Sequence, residues 1–432
     1  MKLKICSLFI LSFIGVCSYA NTNLIEWQDN IPSSLKPFQN NKSELANLTK
    51  DHIIIYAHPT TTTYIPTLKK KPNPQVQFTS SAIVLPVNAE VVEKILSQNE
   101  NYVGLFPTLK SAKVLMKDQN INQTQYKISI PTPIPALNFN ETVIIQHQIN
   151  KNSISSLIVD APIPYGVGKF EWFELDQNKT LVTLTQWGDL NQPKGFLFNQ
   201  ILKAIPEAKL GIPSGTHAFI LESLRKKLSP SSVTTLKAGQ VANDSLTQVQ
   251  INKIMQLSRV SDYPVSFIHS PNYVAYQHGP EQLHFVSTYQ YYAQPIQNYQ
   301  KWIQPNLYTK LFPRQLKKVD IKELPSKEQL AHFKVSLGLG VINIPFNFQM
   351  KFSYPQANQS DFYAQGGDVR FIRGKMQFKA HQEGTLFKMT TAAKIDSKAP
   401  FLIRAVRSLP YHDLLPTVGI NTAFSLKLNN EQ

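Results

Sequence analysis

The chain has 432 residues, enough for two or three domains that each bury a core of their own. Charged residues make up only 17%, but Lys and Arg outnumber Asp and Glu by 44 to 28, so the formal net charge is +16. No stretch after the N-terminus approaches the roughly 18 uninterrupted apolar residues of a membrane-spanning helix, which speaks against an integral helical membrane protein.

Residues 1–20 have the pattern of a secretory signal peptide. Lys2 and Lys4 precede an apolar run from Leu8 to Val16, and the small residues Ser18 and Ala20 stand where a signal peptidase requires them. We therefore expect export to the periplasm or the extracellular space.

Both cysteines, Cys6 and Cys17, lie inside the predicted signal peptide. The mature chain would then have no thiol, which excludes disulfides, thiolate metal sites and cysteine nucleophiles. Cleavage also removes two lysines and lowers the net charge from +16 to +14. Such a charge favours anionic lipid headgroups or envelope polymers as partners, and nucleic acid is not expected outside the cytoplasm. The alternative is that scattered lysines only confer solubility.

Residues 21–74 are predicted to form an N-terminal arm and a linker. The part up to about Asn47 is rich in Asn, Gln, Ser and Lys without a sustained period, so little burial is expected there. His52–Ala57 is a strand candidate, and a Pro- and Lys-rich linker follows to Pro74.

The pattern sharpens over residues 75–228. A strand from Val76 to Leu85 precedes a short helix capped by Asn88, which leads into the turn Tyr102–Pro107. Strands are then predicted around Val114–Met116 and at Gln125–Ile130, Glu141–Ile149, Ile154–Asp160, Gly168–Leu175 and Thr180–Trp187. A long apolar helix ends at Leu228, with interruptions expected at Pro206 and Gly211–Pro213.

Residues 229–282 are predicted to be a linker and a segment that leads into the second copy. Residues 283–432 repeat the pattern of residues 75–228. The turn Tyr102–Pro107 recurs as Tyr308–Pro313. Other pairs keep nearly the same spacing: Phe139-Asn140 with Phe346-Asn347, Gly168-Lys169 with Gly374-Lys375, Thr180-Leu181 with Thr385-Leu386, and Pro206 with Pro410. Two copies of one fold that differ by small loop insertions explain the slow drift in spacing.

A run of antiparallel strands with helices at its ends is typical of an α+β domain. In this order, and in the passage from Ala89–Leu96 into Asn101–Pro107, the chain resembles the START/Bet v 1-like superfamily, also called SRPBCC or polyketide cyclase-like. The resemblance implies two tandem helix-grip domains, each a curved antiparallel sheet wrapped around a long C-terminal helix with an apolar cavity between them. Members of this superfamily bind lipids, sterols or polyketides, and some are cyclases.

No motif predicts a catalytic residue, a metal site or a cofactor. The ten histidines form no His-Glu-x-x-His or His-x-His pattern, and Gly211–Gly215 is more typical of a helix break than of a nucleophile elbow. Glu171 and Glu174 are carboxylates that a cyclase could use, but the second copy has Gln377 and Ala380 at those positions. We interpret these carboxylates as surface charges.

Large aromatic residues recur along the strands and turns of both copies, and strand alternation sends about half of each series inward. Ordinary core packing and a ligand cavity both account for them, and the resemblance favours a cavity. The cavity candidates are Phe106, Phe139, Phe170, Trp172, Trp187, Phe312, Phe346, Phe348, Phe371 and Phe378. Phe106 and Phe312, in the two repeated turns, are expected at the entrance.

The sequence therefore predicts an exported, non-catalytic protein that holds a lipid or another hydrophobic ligand in an apolar cavity, with basic residues that favour an anionic membrane surface. A cyclase- or hydrolase-like enzyme of the same fold is the first alternative. A structural or interaction module in which both cavities are closed is the second.

Overall fold

The computed structural model describes residues 23–130, 139–229, 233–237, 239–276, 279–339, 342–381 and 384–430. The predicted signal peptide, residues 1–20, lies outside these ranges. The α-helices are α1 (Lys42–Thr49), α2 (Ala89–Ser97), α3 (Phe196–Ala204), α4 (Ala208–Leu228), α5 (Gln248–Ser261), α6 (Ile296–Tyr299), α7 (Tyr308–Leu311), α8 (Phe401–Arg404) and α9 (Leu415–Asn429). None of the helices in the described ranges has both the length and the apolar character needed to cross a bilayer.

Most of the remaining described chain forms strands. Those before residue 230 are β1 (Ile53–Ala57), β2 (Thr61–Thr62), β3 (Gln75–Val76), β4 (Thr79–Leu85), β5 (Leu109–Asp118), β6 (Ile121–Ile130), β7 (Phe139–Asn150), β8 (Ser153–Asp160), β9 (Gly166–Asp176) and β10 (Lys179–Gly188). Those after it are β11 (Thr234–Leu236), β12 (Val265–Ile268), β13 (Asn272–Tyr276), β14 (Gly279–Leu283), β15 (Val286–Tyr292), β16 (Leu316–Glu323), β17 (Gln329–Leu339), β18 (Ile342–Gln356), β19 (Gln359–Gly367), β20 (Phe371–His381) and β21 (Gly384–Lys394).

Sixteen of these strands join in one antiparallel sheet that both copies share. Its order is β16-β17-β18-β19-β20-β21-β15-β12-β1-β4-β10-β9-β8-β7-β6-β5. The two ends of this order correspond, because each copy contributes a first strand followed by a meander of six. At the centre β1 pairs with β12, with Ile54 opposite Phe267, so two strands from outside the predicted units connect the copies.

Each copy has the element order expected from the sequence: a strand, short helices, six strands and a long helix. The first short helix, α2, begins where Asn88 accepts a hydrogen bond from the Val91 N–H at 3.0 Å, which confirms the predicted cap. Val92 and Leu96 are buried on the side of α2 that meets the core. The predicted domain limits remain a prediction.

Alternation along the strands divides the sheet into two faces. We call inner the face against which α4 packs in the first copy and α9 in the second, and outer the face that carries α1 and α5. On β9, for example, Phe170 and Trp172 belong to the cluster that contains α4 residues, whereas Phe173 contacts the cluster around α1 and α5.

The expectation of little burial before residue 47 is wrong. Phe38 and Leu45 are fully buried and Leu48 is nearly so, because the outer face of the central strands is apolar and α1 covers it. Asn41 caps α1 by accepting hydrogen bonds from the Ser43 and Glu44 N–H groups.

The long helix of the first copy is broken beside Pro206, as expected, but not at Gly211–Pro213. Those residues lie inside α4, which continues through Pro213 to Leu228. Packing on both sides holds the helix although the proline lacks a donor. In the second copy Pro416 lies in the first turn of α9, where a missing N–H costs nothing.

The two long helices cross on the inner side at a pair of glycines. A Cβ atom added to Gly211 would lie 2.6 Å from the Cα of Gly419, so the two backbones are nearly in contact. Leu414 and Val418, from the second copy, are fully buried in the core cluster of the first. The first copy is therefore completed by residues of the second.

A cluster of four charged side chains lies where the copies meet. His284, just before β15, contacts Asp413 through Nδ1 at 2.6 Å and Glu222 of α4 through Nε2 at 3.3 Å. Glu222 also forms an ion pair with Arg225 of α4. Three of the four are buried, and Asp413 is largely buried.

Burial alone would lower the pKa of His284, but the hydrogen bonds and charges of Asp413 and Glu222 raise the pKa to about 9. The imidazole is therefore protonated at neutral pH, and the cluster balances two positive charges against two negative ones. A balanced buried cluster of this kind is costly to break by removing one member.

Replacing Gly211 with Ala should destabilise the protein by about 1–3 kcal/mol, because the new methyl group meets the backbone of Gly419. The matched control is Gly215→Ala on the same helix, where an added Cβ has no atom within 4 Å. Better helix propensity should make that variant about 0.5–1 kcal/mol more stable. Urea unfolding measures both, and equal effects would contradict the close crossing.

Replacing His284 with Gln should lower the free energy of unfolding by about 3–5 kcal/mol at pH 6, because two buried carboxylates lose a cation. Since the folded-state pKa of His284 is raised to about 9 from 6.5, this stabilisation is complete below about pH 6.5 and is lost as the pH rises through 9. The difference between wild type and variant should therefore narrow between pH 6 and pH 10 in urea titrations. His412→Gln is the control, because burial lowers the pKa of His412, so removing this imidazole should not give a difference that narrows as the pH rises through 9. A difference that stays constant with pH would refute a protonated His284.

Candidate ligand-binding site

The tyrosine of each repeated turn lies on the inner face of its own copy. Tyr102 stacks on Tyr126 of β6 at 6.1 Å between ring centroids and meets His147 of β7 edge-on at 6.1 Å. Its hydroxyl donates to the Leu96 carbonyl at 2.8 Å, which ties the turn to α2. The repeated turn thus carries an aromatic anchor for the sheet.

The second copy builds the same arrangement with different side chains. Tyr308 stacks on Phe333 of β17 at 6.5 Å and meets Phe352 of β18 edge-on at 6.5 Å. Strand pairing makes these positions equivalent. Tyr126 is opposite Val143, four residues before His147, and Phe333 is opposite Phe348, four residues before Phe352. The second inner face is therefore the more apolar of the two.

The phenylalanine of each turn contacts a phenylalanine of the long helix. Phe106 stacks on Phe219 of α4 at 6.4 Å, and Phe312 lies 6.2 Å from Phe424 of α9. In the first copy Phe219 is also covered by Tyr411 at 5.7 Å, a residue of the second copy. Whether these rings form an entrance remains a prediction.

The structure places the ten aromatic candidates in several environments. Those on the inner face of the first copy are Phe106, Phe170 and Trp172, and those on or beside the inner face of the second are Phe312, Phe346, Phe348 and Phe378. Trp187 and Phe371 lie on the outer face, where Trp187 packs beside the cluster that contains Trp27 and Phe371 meets Tyr276 at 5.3 Å. The side chain of Phe139 lies outside the described part.

The inner faces are closely packed near the centre of the sheet and less so toward its ends. In the second copy, Tyr292, Phe378 and Phe387 are fully buried. Phe346 and Phe348, on the longer strand β18, are only half-buried although they stack on one another at 6.1 Å. Any room for a ligand therefore lies toward the outer strands.

A buried polar chain crosses the first inner face. The Tyr126 hydroxyl lies 2.9 Å from His147 Nε2, and His147 Nδ1 lies 2.9 Å from the Ser156 hydroxyl. Burial lowers the pKa of His147 to about 3 and raises the pKa of Tyr126 far above its ordinary value. Both groups are neutral at physiological pH, and Phe333 and Phe352 replace them in the second copy.

Sequence reasoning missed two polar features. Glu171 is buried on the outer face rather than a surface charge, because Ser34 donates to it through both N–H and Oγ at 2.8 Å. Asp413 belongs to the buried charged cluster of His284, Glu222 and Arg225 where the copies meet. The spacing of apolar residues in the N-terminal arm was the available sequence signal for the burial of Glu171. No local pattern indicates the contacts of Asp413, because its partners lie far apart in the chain. In the described ranges, no group of three or more His, Cys, Asp or Glu side chains has a metal-binding arrangement.

No family model matches the sequence, and no curated protein matches it. Solved structures do align with it. The di-domain aromatase/cyclase StfQ from the steffimycin biosynthetic pathway is 10% identical and aligns over 80% of this chain and 97% of its own, with a TM-score of 0.26. A START superfamily protein from Mycobacterium smegmatis is 14% identical over 35% of this chain and 96% of its own, with a TM-score of 0.27.

A STAR-related lipid transfer protein from Xanthomonas axonopodis is 15% identical over 35% of this chain and 85% of its own, with a TM-score of 0.26. These values are too low to carry an argument about the site. The chain is similar to solved START superfamily and di-domain aromatase/cyclase structures, and both copies have the order of strands and helices that the sequence predicts.

Proposed function

We propose that the protein binds a lipid or another hydrophobic ligand between the sheet and the long helix of a copy, without catalysing a reaction. The observation that carries this proposal is the aromatic row on the inner side of the second copy, in which the half-buried Phe346 and Phe348 continue from the buried Phe333. In the helix-grip arrangement, the sheet would curve around α9 and place this row along the ligand.

The aromatic row has the properties of a surface that an acyl chain would cover. Phe348 stacks on Phe333 at 4.8 Å and on Phe346 at 6.1 Å, so the three rings form a continuous apolar strip. Covering apolar surface releases about 25 cal/mol for each Å² removed from water. A ligand that completes the burial of these rings therefore gains affinity without needing a charged partner in the site.

Binding is favoured over catalysis at the polar chain of the first inner face, because its members are already hydrogen-bonded to one another. Tyr126 and His147 contact each other and Ser156, and the second copy has phenylalanines at the first two positions. A general acid or base needs a pKa near the working pH, and burial moves the pKa of both groups away from it. A cyclase remains the alternative that would require one of these groups to reach a substrate.

A closed structural module is favoured by a different observation. Trp172, Tyr292, Phe378 and Phe387 leave almost no exposed surface near the centre of the sheet. If the packing at the ends of the sheet were equally tight, neither copy would hold a ligand. The protein would then serve as a rigid scaffold rather than as a carrier.

Replacing Phe348 with Ala should weaken the binding of a fluorescent fatty acid about tenfold or more, because the ring supplies about 1.5–3 kcal/mol of burial. Tyr273→Ala is the control, since Tyr273 is exposed on β13, away from both inner faces. Titration measures affinity, and native mass spectrometry of the purified protein reports co-purified lipid.

If the protein acts at anionic membranes, it should take up the probe faster from phosphatidylglycerol than from phosphatidylcholine vesicles, and added salt should reduce the difference.

Three outcomes separate the functions. Stoichiometric lipid and a weaker Phe348→Ala variant support the binding protein. No bound lipid and no saturable uptake of the probe would refute it and leave the closed module. Turnover of an offered substrate that Tyr126→Phe abolishes would instead support an inner-face enzyme that depends on this hydroxyl.

We also propose that the protein is exported, because of the charged start, the apolar run and the small residues that end at Ala20. The mature chain should begin at Asn21, and N-terminal sequencing of the exported protein measures this. Ala20→Arg should block cleavage, because the peptidase needs a small residue there. An uncleaved wild-type chain, or one modified with lipid at Cys17, would overturn the assignment.

A further inference from the structure

The outer face repeats a polar chain in both copies. In the first, His58 Nε2 lies 2.7 Å from the Ser80 hydroxyl, which lies 2.6 Å from the Thr185 hydroxyl. In the second, His269, Ser287 and Thr390 form the same chain, with distances of 2.9 Å and 2.9 Å. The two outer faces can therefore be compared position by position.

A lysine stands beside each chain at an equivalent position. Lys169 is the cross-strand partner of Thr185, and Lys375 is the cross-strand partner of Thr390. On the other side, Lys169 is opposite Ser155 and Lys375 is opposite Asp361.

In the first copy, the chain itself supplies a carboxylate to this lysine. Lys169 Nζ lies 2.9 Å from Asp29, which belongs to the segment that precedes α1. Asp29 also accepts hydrogen bonds from the Ser155 hydroxyl at 2.5 Å and from the Ile31 N–H at 2.8 Å. Both side chains of the ion pair are largely buried.

In the second copy, a cavity of about 340 Å³ takes the place of that carboxylate. Its lining residues are Val241, Ala242, Asn243, Lys375, Gln377, Lys388 and Thr390. The volume is at the lower end of the range of roughly 300–1,000 Å³ for small-molecule pockets. The segment before α5 lies at its edge, as the segment before α1 lies at the equivalent place, but it brings no carboxylate to Lys375.

Lys375 is half-buried and forms no ion pair with any residue in the described ranges. The other lysine, Lys388, is already paired with Asp244 at 2.9 Å. Asp361 faces Lys375 across the strands, but its carboxylate accepts a hydrogen bond from the Gln359 amide at 3.0 Å instead.

The charges of the two sites support an added anion. In the first copy Lys169 pairs with Asp29, and Glu171 follows two residues later on the same face of β9, so the three side chains carry one net negative charge. In the second copy Gln377 replaces Glu171, and the two lysines balance Asp244 and Asp361. One carboxylate in the cavity would restore the charge of the first copy.

We propose that this cavity binds a carboxylate group from outside the chain, with Lys375 in the role of Lys169. Further donors are the side-chain amide of Asn243 and the second N–H of the Gln377 amide, which also donates to Gln359 at 3.4 Å. The carboxylate belongs either to a small organic acid or to an acidic peptide segment. The peptide is the closer match to Asp29, which reaches its lysine as part of an extended chain.

Isothermal titration calorimetry of the full chain at pH 7 tests the proposal with three probes. They are succinate, a synthetic peptide with the sequence of residues 25–34, and inorganic phosphate as a control anion. Saturable binding of succinate or of the peptide, with phosphate weaker, is the expected result. Succinate alone points to a metabolite-sized ligand, and the peptide alone points to a protein partner.

Lys375→Met should reduce carboxylate binding at least tenfold, whereas Lys379→Met, an exposed lysine on the same strand, should leave it unchanged. Asp361→Asn should strengthen binding, because it removes the carboxylate that faces Lys375 across the strands. Binding that Lys375→Met does not alter, or no binding of either carboxylate probe, would overturn the proposal. Fatty-acid uptake by Lys375→Met should equal that of wild type, so this test is independent of the inner-face site.

Discussion

The antiparallel pairing of β1 with β12 is the interaction on which the rest of the architecture depends. Without it the two repeats would be separate sheets, each with an exposed edge strand that invites uncontrolled pairing. With it, the strands of each copy follow one another from this central pair toward one end of a single sheet. The two long helices therefore lie on one side of a single sheet, and α1 and α5 lie on the other.

The shared sheet also explains the extreme closeness of the helices. Two helices that cross over one continuous surface have no room to move apart, and small residues let their backbones approach. The contact falls at Gly211 of α4 and Gly419 of α9. Around it, the second copy contributes Leu414 and Val418 to the core of the first.

The two copies differ in the polar side chains that they carry at equivalent backbone positions. The backbone positions of Tyr126 and His147 are kept in the second copy, but phenylalanines occupy them. On the outer face the lysine is kept, but its carboxylate partner is not. The two copies therefore share one backbone frame and differ in the polar groups that it carries.

Much of this could be predicted from the sequence. The spaced echoes gave the repeat, and the turn, cap and strand patterns gave the element order, because these signals are local. The contact between copies could not be predicted, since the partners of His284 lie far from it in the chain. Strand alternation separates Phe371 from Phe378, which lie on opposite faces of β20, but alternation alone could not show which face is the inner one.

The contribution of Leu414 and Val418 has a consequence for the order in which the chain matures. A polypeptide emerges from the ribosome N-terminus first, and domains commonly fold as they appear. Here the first copy lacks part of its interior until almost the entire chain has been synthesised. A nascent chain that stays incompletely folded until its last helix has been synthesised keeps apolar surface exposed. It therefore depends on chaperones for longer than two independent domains would.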